Sequence, residues 1–240
     1  MEFSLVIPLY NEEKNIKYVV SDLFKSIKTI KPFEFELILV ENGSIDKTSE
    51  KCKEVSELYP NIRILRLNQN KGYGGGVLAG LLFAKGKRLL WMPGDGQVSG
   101  DDVLKIIKIA QEQNNLKWII KGKRLYREDS FMVQLISKTY SFLVNSILKI
   151  DVADVNGLPK CFPMEIKNNL RDSMEASFTF DAEILKIATM KNFDIIETPV
   201  KFLNRREGLS SWSGSRIKVY IESLKRLFKL RKYYSKKKII

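Results

Sequence analysis

The feature that most constrains the fold is a fourfold alternation of short apolar runs with longer segments of helical periodicity. The apolar runs are FSLVIPLY, FELILVEN, NIRILRL and RLLWM, and none of them alternates polar with apolar residues. Strands that are buried on both faces have this continuous apolar character, and they occur in mostly parallel sheets covered by helices. The sequence therefore predicts an α/β fold with a Rossmann-like, mostly parallel sheet and helices on both faces.

The segments between these runs carry apolar residues at helical spacing. The first predicted helix covers residues 11–30, with Asn11 as its expected cap. The third helix is expected to begin only at Gly76, after a glycine-rich turn. Further along the chain, residues 130–150 predict a strongly apolar helix, and residues 179–193 predict a helix followed by a strand. No linker interrupts this pattern, so we predict one domain over residues 1–211.

Each of the first four predicted strands is followed by a polar or glycine-rich stretch, in the order PLYNEE, ENGS, NQNKGYGGG and PGDGQ. In an open parallel sheet such stretches meet at the carboxyl ends of the strands, where ligands bind. The last stretch places Asp95 between two glycines, with Gln97 two residues later. A carboxylate and an amide oxygen at this spacing can share one hard cation. We therefore predict a ligand crevice in which Asp95 and Gln97 hold a metal, with a surface turn as the alternative.

Two other stretches allow two interpretations each. The segment GYGGG lies where backbone amides could hold a diphosphate, but Val77 breaks the dinucleotide pattern and no Gly-Lys-Ser/Thr follows. A need for tight backbone geometry would explain these glycines equally well. Glu41 or Asn42 could hydrogen-bond a ribose or a base, or could simply form the turn that leads into the next helix.

Histidine is absent from the chain. Its absence excludes Ser-His-Asp and Cys-His catalysis and argues against a zinc enzyme. Acid–base chemistry would then fall to carboxylates, Lys, Tyr or the substrate, and any metal should be a hard, oxygen-bound ion. The two cysteines, Cys52 and Cys161, form neither a disulfide framework nor a metal-binding spacing. The sequence predicts no signal peptide and no membrane-spanning run.

The net charge of +13 is concentrated at one end of the chain. Residues 216–240 contain ten Lys or Arg and one acid, Glu222, which accounts for +9 of the total. A basic and amphipathic tail of this kind favours an anionic membrane surface or nucleic acid as its partner. The remainder of the chain carries no recognisable nucleic-acid motif. A solvated terminal helix is the third interpretation of this tail.

Taken together, the motifs resemble family 2 glycosyltransferases with the GT-A fold. VIPLYNEEKNI, ELILVENGSIDKT, NKGYGGGVLAGL and MPGDGQ occur in the order and spacing of that family. DVNGLPKCF, FDAEILKIA and IIETPVKFLNRREGLSS extend the resemblance over residues 3–211 and make it most similar to the polyprenyl-phosphate branch, which includes dolichol-phosphate mannose synthase. The resemblance implies an inverting, metal-dependent hexosyltransferase. Such an enzyme moves a sugar from a nucleotide-sugar to a dolichyl or undecaprenyl phosphate, with Mg²⁺ or Mn²⁺ as cofactor.

The resemblance also implies roles for individual residues. The nucleotide-sugar would be contacted by Pro8, Tyr10, Glu12, Glu41, Asn42, Lys71, Asp95, Arg206 and Ser210. Asp95 and Gln97 would hold the metal, and the catalytic residues would be Asp95, Arg124 and Asp181. The acceptor side would also include Asp154, Gly157 and Glu183, and a mobile loop over the diphosphate would include Arg205, Arg206, Gly208 and Ser210. This chain departs from the family at Pro93, where the first Asp of an Asp-x-Asp motif is common, and at Glu41-Asn42, which replaces an Asp pair.

Two acceptors are compatible with these residues. A sugar hydroxyl would need a general base, for which Asp181 is the first candidate and Glu183 the second. A lipid phosphate is already anionic and would need positive charge for its positioning, with Arg124 as the candidate. The apolar helix at residues 130–150 supports a lipid, although a buried core helix would look the same. An inactive nucleotide-binding protein of the same fold is a further alternative.

We therefore expect a donor half at residues 1–98, an acceptor half at residues 99–211 and a basic helix at residues 212–240. The expected partners are a nucleotide-sugar donor, a lipid-phosphate acceptor, an anionic membrane surface and, as an option, a membrane protein. Nucleic acid is not among them. The expected location is the cytoplasm, at the periphery of the membrane.

Overall fold

The computed structural model describes residues 1–170, 179–208 and 216–236, with the backbone alone for residues 216–220. The elements are, in chain order, β1 (Phe3–Leu9), α1 (Ile16–Ile27), β2 (Phe35–Asn42), α2 (Thr48–Leu58), β3 (Ile62–Leu67), α3 (Gly72–Phe83), β4 (Arg88–Trp91), α4 (Gly100–Glu112), β5 (Trp118–Arg127), α5 (Phe131–Leu148), β6 (Lys160–Pro163), α6 (Met164–Lys167), α7 (Thr179–Met190), β7 (Asp194–Phe202) and α8 (Arg216–Lys236).

The seven strands form one sheet in the order β3-β2-β1-β4-β6-β5-β7. The first four strands are parallel to one another, and β5 is parallel to β7. Only β6 runs against its neighbours β4 and β5, among the strands that the structure describes. The predicted mostly parallel α/β sheet flanked by helices is therefore confirmed.

The core lies along the four continuous apolar strands that the sequence predicts. Leu5, Val6, Ile38 and Leu90 are fully buried, and so is Trp91 at the end of β4. Burial of a side chain of this size stabilises a fold by about 1.5–3 kcal/mol relative to exposure. Both faces of β1, β2 and β4 are buried, so the carboxyl ends of these three strands are held in fixed positions relative to one another, whereas the edge strand β3 is mostly half-buried.

The first helix begins later than predicted, at Ile16, and its N-terminal flanking residue is Asn15 rather than Asn11. The prediction that Asn11 caps this helix is therefore wrong. Asn11 adopts a left-handed conformation with φ of 56°. Its side-chain oxygen accepts a hydrogen bond from the backbone N–H of Ile45 at 3.0 Å, and its own N–H donates to Ser44 Oγ at 3.2 Å. Asn11 thus joins the loop after β1 to the loop after β2.

The glycine-rich segment lies inside α3, whereas the sequence predicts a turn there with the helix starting at Gly76. Glycine has a low helix propensity, so its presence in the first turns needs a packing reason. Within the glycine-rich segment, a Cβ at Gly76 would come within 2.9 Å of Asn42 Nδ2, and one turn later a Cβ at Gly80 would come within 2.3 Å of Val6 Cγ1 and 2.7 Å of Val40 Cγ2. The lack of a side chain therefore lets α3 lie directly on β1 and β2.

The C-terminal helix α8 packs against α5 and α7. Leu227 and Tyr234 are buried there, and so is Ser223. No helix in the described ranges has both the length and the hydropathy that crossing a bilayer requires. The predicted division of the chain at residues 98 and 211 stays a prediction.

Candidate active site

A crevice of about 870 Å³ opens at the carboxyl ends of β1, β2 and β4. The predicted site residues that line it are Pro8, Tyr10, Glu12, Asn42, Asp95, Gln97, Arg124 and Asp181. Glu41, Lys71 and Arg206 do not line it, and Ser210 lies outside the described residues. The fold thus gathers residues that are as far apart in sequence as Pro8 and Asp181 around one cavity.

At the end of β2, the side chains of Glu41 and Asn42 are engaged with the protein itself. Glu41 Oε1 accepts the backbone N–H of Ser44 at 2.6 Å. Asn42 Oδ1 accepts the N–H of Lys71 at 3.0 Å, while Asn42 Nδ2 donates to Gly72 O at 3.1 Å. Asn42 therefore fixes the turn that opens α3, and the side chain of Lys71 is exposed beside that turn.

Asp95 lies in the loop that follows β4. Its Oδ1 accepts the backbone N–H of Gln97 at 3.1 Å, which folds the carboxylate back over its own loop. Gly96 between them has φ of +79°, a conformation that favours glycine, so the two flanking glycines also serve the backbone. Gln97 Nε2 donates to Leu203 O at 2.9 Å, which leaves the carboxamide oxygen as the atom that an ion would contact.

The segment after β7 places a guanidinium between two carboxylates. Arg205 Nη2 lies 2.5 Å from Glu12 Oε1, and Arg205 Nη1 lies 3.7 Å from Asp95 Oδ2. Burial raises the pKa of Asp95, although the Gln97 N–H and the charge of Arg205 oppose it. Burial also raises the pKa of Glu12, against hydrogen bonds from Asn15 and Arg205. The next arginine, Arg206, instead lies over the ring of Tyr18, with its guanidinium carbon 3.8 Å from the ring centroid.

On the acceptor side, Arg124 lies within β5, three residues before the strand ends, and is held in a fixed orientation. Its Nε and Nη2 donate to the two carboxylate oxygens of Asp154, each at 2.7 Å, and Nη2 also donates to Ser137 Oγ at 2.9 Å. Its guanidinium carbon is 5.1 Å from the centroid of the Phe202 ring. Burial alone would raise the pKa of Asp154, but hydrogen bonds from Arg124 hold it well below its usual range.

Asp181 is 2% exposed and forms an ion pair with Lys160 Nζ, which is fully buried. Burial lowers the pKa of Lys160 to about 8, against the opposing charge of Asp181. Tyr73 also interacts with Asp181, and burial raises the pKa of Tyr73 well above its usual value. Nearby on α7, Glu183 Oε1 accepts a hydrogen bond from Tyr234 Oη at 2.8 Å.

The sequence analysis did not identify Lys160 or Tyr73 as site residues. The available signal for Lys160 was a lone lysine within the apolar run LPKCF.

Three arginines and five carboxylates line the crevice, so its lining is net negative. These residues are Arg124, Arg127, Arg205, Glu12, Asp95, Glu128, Asp129 and Asp181. The described residues contain no group of three or more His, Cys, Asp or Glu placed to hold a metal by themselves. Glu12 and Asp95 nevertheless both reach one guanidinium, so two hard oxygen donors already converge on a cation. The donor set fits a hard divalent ion that takes its other ligands from a bound phosphate or water.

Comparisons with known proteins identify a family and several relatives of this chain. The model of glycosyl transferase family 2 matches residues 4–156. The dolichyl-phosphate beta-glucosyltransferase of Dictyostelium discoideum is 29% identical over 216 residues, which cover 83% of this chain and 65% of that protein. The Homo sapiens protein of the same name is 28% identical over 217 residues, which cover 84% of this chain and 67% of that protein. The chain thus spans about two thirds of the length of these relatives.

Two solved structures are similar in fold. Glucosyl-3-phosphoglycerate synthase from Mycobacterium tuberculosis, in complex with Mn²⁺, UDP and glucosyl-3-phosphoglycerate, has a TM-score of 0.70 at 16% identity, over 95% of this chain and 80% of that one. The mannosyltransferase PcManGT from Pyrobaculum calidifontis, in complex with GDP-Man and Mn²⁺, has a TM-score of 0.66 at 14% identity, over 95% of this chain and 64% of that one. At such identities the likeness establishes the fold alone.

Proposed function

Because the chain belongs to glycosyl transferase family 2, we propose that it transfers a sugar from a nucleotide-sugar to a polyprenyl phosphate with inversion at the anomeric carbon. The two relatives described above are dolichyl-phosphate glucosyltransferases, which supports a lipid phosphate as the acceptor. In the proposed reaction an acceptor phosphate oxygen forms the new bond to the anomeric carbon. The bond between that carbon and the donor diphosphate breaks, and its electrons stay on the nucleoside diphosphate.

The observation that carries this proposal is the state of the two carboxylates that could act as a base. Asp181 is buried against Lys160, and Glu183 is buried and accepts the hydroxyl of Tyr234. A hydroxyl acceptor needs a base that can take its proton, and these two side chains are engaged elsewhere. A phosphate acceptor is already ionised near neutral pH and needs no such base (second pKa about 6). The engaged carboxylates therefore favour the phosphate.

We propose that the acceptor phosphate binds next to Arg124. Asp154 and Ser137 hold this guanidinium rigidly at the wall of the crevice. A fixed guanidinium is suited to the directional binding of a phosphate, because less side-chain freedom is lost when the anion binds. The side-chain hydroxyls of Ser130 and Ser137 line the same wall and are further donors for a phosphate.

We propose that a divalent ion, Mg²⁺ or Mn²⁺, binds at Asp95 together with the donor diphosphate. The net negative lining of the crevice would repel a diphosphate, so an added cation is needed for its binding. When bound, the ion would stabilise the charge that develops on the leaving diphosphate, a contribution of several kcal/mol. The residues of the chain would orient it: Asp95 through its carboxylate and Gln97 through its amide oxygen.

We propose that the protein acts at the surface of a membrane. Exposed apolar side chains cover the outer faces of α5 and α8, which pack on each other: Phe131, Met132, Leu135, Phe142, Ile221 and Phe228. Apolar surface beside a basic helix is suited to the headgroup layer of an anionic bilayer. This location would bring the crevice to the depth at which a polyprenyl phosphate presents its head.

A transfer assay tests the proposal. UDP-, GDP- and dTDP-sugars are offered in turn with Mg²⁺ or Mn²⁺, and the acceptor is a short-chain polyprenyl phosphate or a soluble sugar. We expect product only with the lipid phosphate and a divalent ion. Asp95→Asn should abolish transfer, whereas Gln97→Ala, which removes a neutral ligand, should reduce it less. Near wild-type turnover of Asp95→Asn at saturating metal would contradict the role of Asp95.

The acceptor class is tested by the ranking of two variants. Arg124→Ala should lower transfer far more than Asp181→Asn. Rates are normalised to folded protein, because the first change leaves Asp154 and the second leaves Lys160 buried without its partner. The reverse ranking, with a soluble sugar accepted, would assign the protein to the hydroxyl-acceptor class. Nucleotide binding without transfer or hydrolysis of any donor would instead identify an inactive nucleotide-binding protein.

A further inference from the structure

The guanidinium of Arg205 lies between two carboxylates of the crevice. Its Nη2 contacts Glu12 Oε1 at 2.5 Å, and its Nη1 lies 3.7 Å from Asp95 Oδ2. The third nitrogen, Nε, donates to Glu207 O at 2.9 Å. One cation thus bridges the carboxylate at the end of β4 and the carboxylate that follows β1.

This bridge has an electrostatic reason. Glu12 is buried and the Asp95 side chain is only 16% exposed, and both carboxylates lie against the same guanidinium, so two negative charges are close together in a site with little water. A cation between them relieves that repulsion, and a charged donor makes shorter and stronger hydrogen bonds to a carboxylate than a neutral one does. A divalent ion on Asp95 would meet the same charge requirement, but it cannot share the space with the guanidinium.

The segment that carries Arg205 is held by contacts of the neighbouring residues, so its position does not depend on the contacts that the Arg205 guanidinium makes with Glu12, Asp95 and Glu207 O. Leu203 is joined to Gln97 by two hydrogen bonds, from Leu203 N to Gln97 O at 3.0 Å and from Gln97 Nε2 to Leu203 O at 2.9 Å. Arg206 is held separately, over the ring of Tyr18. Arg205 could therefore leave the two carboxylates by a change of its own side-chain torsions while the segment stays attached beside Asp95.

We propose that Arg205 is a resident counter-cation of the donor site, which a divalent metal must displace before it can bind Asp95. The inference rests on the proposed function, since it deepens the role of the metal there. Metal alone binds weakly, because it must break the contacts of Arg205 with Glu12 and Asp95. A nucleoside diphosphate offers the displaced guanidinium a new anionic partner, so metal and nucleotide strengthen each other's binding by the same factor.

Direct titration with Mn²⁺, followed by the electron paramagnetic resonance signal of the free ion, tests this displacement without any transfer reaction. We expect Arg205→Met to bind Mn²⁺ about tenfold more tightly than wild type in the absence of nucleotide, which corresponds to about 1.4 kcal/mol. Arg205→Lys, which keeps the charge, should remain close to wild type. With UDP or GDP present, the advantage of Arg205→Met should shrink, because the displaced guanidinium of the wild type then gains the diphosphate as a partner and the methionine does not.

Arg206→Met is the matched control for this titration. It removes one positive charge from the adjacent position, so it has the same long-range effect on a bound cation, but its guanidinium touches neither carboxylate. Its Mn²⁺ affinity should therefore stay within about twofold of wild type, since only screened, longer-range charge is lost. Equal Mn²⁺ affinities of Arg205→Met and Arg206→Met, including no binding by either, would overturn the proposal.

A second measurement uses the wild-type chain and does not depend on the folding of a variant. Phenylglyoxal modifies accessible arginines, and mass spectrometry of peptides locates the modified residues. Addition of Mn²⁺ in the absence of nucleotide should raise the modified fraction of Arg205 and leave the modified fraction of Arg206 unchanged. Unchanged reactivity of Arg205 would contradict displacement. If Mn²⁺ displaces Arg205 but the protein transfers no sugar, the proposed function is refuted and the inference about Arg205 stands.

Discussion

At the scale of single residues, Arg124 and Asp154 form a largely buried, bidentate ion pair at the wall of the crevice. The side chains are 9% and 12% exposed, and two of their hydrogen bonds measure 2.7 Å. Removal of one partner from a buried ion pair leaves the other charge uncompensated, which costs about 3–5 kcal/mol. Loss of this ion pair should therefore lower the stability of the protein as well as its activity.

Asp154→Asn is expected to change how stability depends on pH. Because Arg124 holds the pKa of Asp154 below its unfolded-state value of about 3.9, the carboxylate stabilises the fold above that pH. This contribution declines as the pH falls below about 4, by up to about 1.4 kcal/mol per pH unit. The variant lacks it throughout, so its stability deficit at pH 7 should narrow toward pH 3 in urea unfolding.

The control for this pH series is Asp151→Asn, three residues earlier and exposed. A surface change of this kind usually alters stability by no more than about 0.5 kcal/mol, and we expect no trend with pH. A deficit of Asp154→Asn that stayed constant from pH 7 to pH 3 would show that the carboxylate titrates normally.

Sequence patterns located the site residues better than they described their contacts. The positions of Glu12 and Asp95 after β1 and β4 followed from the apolar runs, because a strand end determines which edge of the sheet a residue reaches, whereas Arg124 was predicted from the family resemblance alone. The direction of a side chain depends on partners from distant elements. Asp181 is paired with Lys160 across 21 residues, and Arg205 reaches Glu12 across 193 residues. No local pattern carries such pairings.

At the scale of elements, the first four strands were predictable because each is a continuous apolar run. Helix α3 was only partly predictable, since the glycines at its start argue against a helix until the close approach of Gly76 to Asn42 is known. Helix α8 was predicted as a basic tail, but its inner face is part of the hydrophobic core. Deletion of residues 212–240 would therefore remove core packing together with the basic charge, and point variants separate the two.

Alanine substitution should have a large effect on stability at one residue of α8 and little effect at the next. Leu227 is fully buried, so Leu227→Ala should lower the free energy of unfolding by about 2–5 kcal/mol. Phe228 is 58% exposed, so Phe228→Ala should change it by no more than about 0.5 kcal/mol. Urea unfolding of both variants checks the difference. Similar stabilities would mean that α8 does not pack on the body of the protein in solution.

At the scale of the whole molecule, charge and exposed apolar surface occur together. The last 25 residues carry +9 of the net charge of +13, and exposed side chains of α5 lie on the neighbouring helix. Each Lys or Arg close to an anionic surface contributes about 1 kcal/mol, an attraction that salt screens. The two kinds of surface should therefore act together on a membrane.

Vesicle sedimentation checks this expectation. The full chain should bind vesicles that contain anionic lipid, bind neutral vesicles much more weakly, and lose anionic binding steeply as salt rises. Phe228→Ala should weaken binding at unchanged stability, because it removes an exposed apolar contact with the headgroup layer. Equal binding to neutral and anionic vesicles would exclude the electrostatic part, and tight binding to DNA at about 150 mM salt would favour nucleic acid as the partner.

The position of β6 also has a consequence for the order in which the protein can fold during synthesis. The first four strands complete one half of the sheet by residue 91, yet the next strand to emerge from the ribosome, β5, is not the neighbour of β4. β6 must first fill the place between them. The nascent chain therefore presents an unpaired β4 edge, with Leu89, Leu90 and Trp91, for about 70 further residues, which take roughly 4–14 s to translate at about 5–20 residues per second. An apolar strand edge left open for that time is a site of misassembly, so the nascent chain is where a chaperone would matter most for this protein.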